Sequence, residues 1–102
     1  MLYFSVKFTM APEVVRITDD RNALLDRWLK EAVEPNGLHF GGGGLGEEWK
    51  GYVEPRLRED ATEADRQPIE SWLKNNPLVV SYEIGPLFSD SDLTDSDDNE
   101  PK

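Results

Sequence analysis

The chain has no cysteine in its 102 residues. A disulfide framework and any Cys-based zinc site are therefore excluded, which fits a reducing compartment. Histidine occurs once, at His39. Without a second His or a Cys it anchors no transition-metal centre, and no Ser-His-Asp arrangement can be assembled around it. No apolar run approaches the ~20 residues that cross a bilayer. The opening Met1-Leu2-Tyr3-Phe4-Ser5-Val6-Lys7 lacks the basic and continuously apolar regions of a signal peptide, so a cytoplasmic protein is expected. Basic residues are scarce as well: 11 Lys and Arg stand against 21 Asp and Glu, a formal charge of −10. That charge repels phosphate backbones, so direct nucleic-acid binding is not expected, and it favours basic protein partners. A chain this short has room for one hydrophobic core.

Residues 2–10 alternate strictly, with Leu2, Phe4, Val6, Phe8 and Met10 on one side and Tyr3, Ser5, Lys7 and Thr9 on the other. Period two over this length is a half-buried strand, and Ala11-Pro12 ends it. Between Asp19 and Val33 the apolar residues Leu24, Leu25, Trp28, Leu29, Ala32 and Val33 make one helical stripe, capped by Thr18 or Asp19. Pro35 stops that helix and Asn36-Gly37 turns the chain. Leu38-His39-Phe40 reads as a short second strand, interrupted by glycines 41–44 and Gly46 in a hairpin or bulge that requires positive φ. Residues 48–55 read as a third strand, with Trp49 and Val53 inward. Thr62-Glu63-Ala64-Asp65 has the form of a capping box. The helix after it carries Ile69, Trp72 and Leu73, with a kink at Pro68 or a start nearer Gln67. Residues 78–84 alternate again, which puts Leu78, Val80, Tyr82 and Ile84 inward.

The order β-α-β-β-α-β predicts an α+β domain over residues 1–88. The expected form is a ferredoxin-like split β-α-β, a four-stranded antiparallel sheet with two helices on one face. Residues 89–102 hold six acidic side chains and one Lys, and predict a disordered acidic tail. The glycines are no phosphate-binding loop, since no Lys follows them and Glu47 and Glu48 would repel phosphate. The tail aspartates lack the spacing and the turn glycine of a calcium loop. No cofactor, metal or catalytic residue is expected, and no enzymatic activity. Trp28 and Trp72 belong to the core. The open sheet face should present Tyr3, Ser5, Lys7 and Thr9, joined by Tyr52 and by Val79, Ser81 and Glu83. A protein-binding surface is expected there, made of Tyr3, Lys7, Tyr52 and the bordering Gly41, Gly42, Gly43 and Gly44.

Three segments carry a family resemblance. Tyr3-Phe4-Ser5-Val6 is similar to the start of the first strand in the YggL-type 50S ribosome-binding proteins. The stretch from Glu31 to Gly43, which includes Asn36-Gly37-Leu38 and Gly41-Gly42-Gly43, resembles that family's central motif. Thr62-Glu63, Trp72-Leu73, and Val80 through Pro86-Leu87 to Asp90 resemble its ending. The resemblance implies a non-enzymatic protein associated with the large ribosomal subunit; the acidic charge adds the expectation of contact with ribosomal proteins more than with RNA, and a monomer is expected. A protein of another class also fits the charge: an acidic inhibitor or immunity-type protein that fills the basic nucleic-acid site of a nuclease or defence complex.

Overall fold

The computed structural model describes residues 2–89. Strand β1 (Leu2–Met10) is followed by a short helix α1 (Pro12–Val15), whose first residue is Pro12, where a missing N–H leaves no helical bond unmade. Helix α2 (Thr18–Arg27) follows, with Ile17 at its N-cap. No side chain caps this end, so the expected cap by Thr18 or Asp19 is replaced by Asp19 and Asp20 in the first turn, where they offset the helix dipole. The chain then widens into a π-helical stretch, Trp28–Val33, marked by the Glu34 N–H donating to the Leu29 carbonyl. The wider turn keeps Trp28, Ala32 and Val33 all buried. A 3₁₀ turn, Glu34–Asn36, closes on Gly37 in the left-handed region at φ 69°.

Strands β2 (Leu38–Gly43) and β3 (Glu48–Pro55) form a hairpin, α3 (Glu63–Asn75) crosses back, and β4 (Val79–Ile84) and a two-residue β5 (Phe88–Ser89) complete the fold. The sheet order is β2-β3-β1-β4, with every neighbouring pair antiparallel, and β5 pairs with the start of β1. The domain is thus α+β with five strands and three helices, one strand and one helix more than expected. The sequence hid both additions, because a four-residue helix and a two-residue strand are too short to show a period. Residues 90–102, with the disorder expected of the acidic tail, lie outside the described residues.

Two expectations are corrected by the strand register, and one of the two alternatives for α3 falls as well. Glycines 41–43 do not interrupt β2; they continue it, and among the described residues positive φ occurs only at Gly37 and, in the hairpin loop as expected, at Gly46. The run stays extended because Gly42 lies directly opposite Gly51, and the two backbones press together where neither residue has a side chain. In β4 a register shift between Thr9 and Met10 brings Val79 opposite Met10 and turns it toward the core, while Val80 is 63% exposed. Alternation alone had assigned Val80 to the core and Val79 to the open face, and one bulge residue reverses both. Helix α3 starts at Glu63 rather than near Gln67, and Pro68 lies within it.

The early start of α3 has a local cause. The Thr62 N–H donates to the Asp65 carboxylate at 2.9 Å, and the Asp65 N–H donates back to the Thr62 carbonyl at 3.0 Å. Arg58 adds a charged hydrogen bond to the same carboxylate at 2.8 Å. Burial alone would raise the Asp65 pKa, but the bonds from Arg58 and Thr62 outweigh it and hold the carboxyl below its ordinary value. A depressed folded pKa stabilises the domain above the unfolded value, and that contribution is lost as pH falls through the folded one. Asp65→Asn is therefore expected to lose about 1–2 kcal/mol at neutral pH, and the gap from wild type should narrow once pH falls below the ordinary carboxyl value of about 4. Urea unfolding at several pH values checks this; a gap that stayed constant down to pH 2 would show that the carboxylate charge is not the source.

Candidate functional site

Helices and the π-helical stretch cover one side of the sheet, and the inward faces of the strands supply Phe4, Val6, Phe8, Met10, Leu38 and Val53 to the core. The other side is open. Reading across it from β2 to β4, one row runs Gly43, Lys50, Lys7, Glu83, and the next runs Gly41, Tyr52, Ser5. Gly85, whose N–H donates to the Ser5 carbonyl at 2.9 Å, closes the second row. Gly41, Gly43 and Gly85 carry no side chain and Ser5 a small one. A trough of about 730 Å³ results, running across all four main strands between Tyr52 and the charged row.

The two walls differ in chemistry. At one end Tyr3, Tyr52 and Phe88 form a ring cluster, with centroids 4.6 Å apart for Tyr3 and Phe88, 5.6 Å for Tyr52 and Phe88, and 5.9 Å for Tyr3 and Tyr52. Phe88 reaches this face because β5 sets it directly opposite Tyr3. Tyr3 is consequently 9% exposed, while Tyr52 is 46% exposed. At the other end Lys7 and Lys50 stand directly opposite each other, an unfavourable like-charge pair. Lys7 is partly neutralised by Glu48 at 3.6 Å and faces Glu83 across β4. Lys50 is exposed and makes no ion pair among the described residues.

The expected binding residues separate accordingly. Lys7, Tyr52 and glycines 41–43 line the trough together. Tyr3 is the buried member of the ring cluster, packed against Tyr52 and Phe88. Gly44 lies past the end of β2, and its carbonyl accepts from Arg21 at 3.2 Å. Arg21 also donates to the Gly46 carbonyl at 3.0 Å and stacks over the Trp49 ring at 5.3 Å, which pins the β2–β3 loop to α2. His39 is exposed, with the Glu54 carboxylate at 3.8 Å. Lys50, Phe88 and Arg21 were missed. Lys50 could have been found by pairing residues 48–55 with β1, whereas Phe88 and Arg21 depend on contacts that no local pattern encodes.

The trough joins an aromatic wall, a bare backbone floor and a mixed-charge row, an arrangement suited to holding another surface. Among the described residues no group of three or more His, Cys, Asp or Glu side chains could hold a metal ion. A protein of Haemophilus influenzae described only as uncharacterized is 32% identical over 87 residues, which covers 85% of this chain and 73% of that protein. The profile of the YggL 50S ribosome-binding protein family matches residues 1–91, from β1 through the ring cluster to just past β5. The whole described fold falls within that match, and the chain belongs to the YggL 50S ribosome-binding protein family.

Proposed function

We propose that this protein is a non-enzymatic accessory factor of the large ribosomal subunit, cytoplasmic and monomeric, that docks through the trough on its open sheet face. The observation that carries the reading is that face itself: a side-chain-poor groove crossing the sheet, with half-exposed Tyr52 on one wall and exposed Lys50 on the other. Aromatic residues flanked by charge are typical of protein interfaces. The description of the family supports a 50S partner. The charge of −10 supports contact with basic ribosomal proteins more than with ribosomal RNA. The frame proposed is the ferredoxin-like split β-α-β. The order β2-β3-β1-β4, with helices in the two crossovers β1 to β2 and β3 to β4, supports it.

Sedimentation tests the function. The full chain, mixed with purified bacterial 50S subunits at low salt, is expected to travel with them. The double variant Tyr52→Ser/Lys50→Glu should fall to the light fractions while its circular dichroism stays that of wild type. Both side chains are exposed, so the variant removes contact and not core. A wild-type chain confined to the light fractions overturns the ribosomal reading. Equal sedimentation of the variant moves the contact away from the trough. The net charge also favours a second reading, an acidic protein that occupies the basic site of a nuclease or defence complex. A lysate pull-down dominated by one such enzyme, with ribosomal proteins absent, would establish it.

A further inference from the structure

The two edges of the sheet are finished differently. At one edge, β4 carries the irregularity at Thr9/Met10, and Arg66 donates to the Ile84 carbonyl at 3.3 Å from α3. The Tyr82 phenol bonds Glu70 of the same helix at 3.1 Å. A bulge and an overlying helix are devices that keep an edge from pairing with another chain. At the other edge, β2 has neither. Its six residues, Leu-His-Phe-Gly-Gly-Gly, include no Lys, Arg or Pro, run in unbroken register with β3, and among the described residues have no strand on their outer side. Gly41 and Gly42 are exposed, so backbone there is uncovered on the face as well as at the edge.

We propose that the outer edge of β2 takes up an extended, positively charged segment of a partner protein as an added strand. Backbone hydrogen bonds along such an edge supply affinity without specific side chains. Charge selects the occupant. Glu34 precedes the strand and Glu47 follows it; both are exposed, and neither makes an ion pair among the described residues. A second copy pairing antiparallel would bring its Glu47 toward Glu34, and pairing parallel would bring like residues together. Either arrangement sets carboxylate against carboxylate between two chains of −10 each. A segment with Lys or Arg at its two ends meets Glu34 and Glu47 instead. The trough opens at this same edge through Gly41 and Gly43, so large side chains of the added strand have room to lean over the sheet.

The inference concerns the outer edge of β2, which adjoins the trough assigned to the large subunit through Gly41 and Gly43, and its test uses a peptide and no ribosome, so the two readings fail separately. The probe is a synthetic octapeptide alternating Lys with Thr or Val, titrated into the isotope-labelled full chain at low salt. Amide exchange at those residues of 38–43 that face away from β3 should slow by roughly tenfold or more, and added salt should weaken the binding. The same peptide with Glu for Lys should not bind. Gly41→Lys/Gly43→Lys tests the location, since a Cβ at either position has open space and the fold is expected to survive. This variant should lose about tenfold or more in affinity. Protection elsewhere with none in β2 overturns the proposal. So does equal binding by the double-lysine variant, which would mark adsorption to a generally acidic surface. A chain that sediments alone as a dimer with β2 already protected overturns it in favour of self-pairing.

Discussion

Replacing Gly51 with Ala is expected to lower the unfolding free energy by about 2–3 kcal/mol. The same change at Gly41 should leave stability unchanged or raise it by about 0.5 kcal/mol. The two glycines lie in adjacent strands of one hairpin, so propensity and solvent exposure do not predict this contrast. Geometry does. A Cβ on Gly51 would run into the Gly41 carbonyl, the Gly42 Cα and the Phe40 ring, with the ring carbon at 2.8 Å. Two of those three are backbone and cannot turn aside, so β2 and β3 must separate locally. A Cβ on Gly41 meets nothing within 4 Å and needs no left-handed φ. There the main effect of Ala is to reduce the freedom of the unfolded chain. Urea midpoints at equal m-values read both changes. Equal midpoints for the two variants would mean that the strands are not held this close.

The same hairpin shows where sequence reading stops. The strand in residues 2–10 is legible because its two faces differ sharply, Phe4, Val6 and Phe8 against Ser5, Lys7 and Thr9. The capping box is legible because both partners lie within one turn, Thr62 and Asp65. Four consecutive glycines carry no pattern, and a turn is the usual meaning of such a run. The meaning here is a close approach, set by a fifth glycine, Gly51, in the partner strand. The open face was assigned correctly at Lys7 and Tyr52. Val79 and Val80 were exchanged, because Val80 is the extra residue of a bulge, set between Val79 opposite Met10 and Ser81 opposite Thr9, while Tyr82, Glu83 and Ile84 keep their expected faces. Tyr3 was placed on the correct face with the wrong exposure, since its cover is Phe88, brought in by a strand too short to read.

The largest single loss is expected at Trp28. Its side chain is fully buried where the π-helical stretch begins, and it touches three other rings: Phe8 at 5.3 Å, Phe40 at 5.5 Å and Trp72 at 5.6 Å between centroids. Through them it joins β1, β2 and α3, so its removal opens a cavity shared by both crossovers. Trp28→Ala should lose about 4 kcal/mol, a large part of the stability of a domain this size, and lower Tm by roughly 20 °C. Trp28→Phe divides that loss between two causes. The indole N–H is buried with no acceptor among the described residues, a burden of about 1–3 kcal/mol that Phe does not carry. Phe also keeps a ring facing Phe8 and Trp72 and gives up only part of the volume. The loss for Trp28→Phe is therefore expected near 1 kcal/mol, well below that of a typical cavity-forming change. Thermal and urea unfolding of the two variants side by side decide the matter. A Phe variant as unstable as the Ala variant would show that the site depends on the full indole shape, and that the unpaired N–H contributes little.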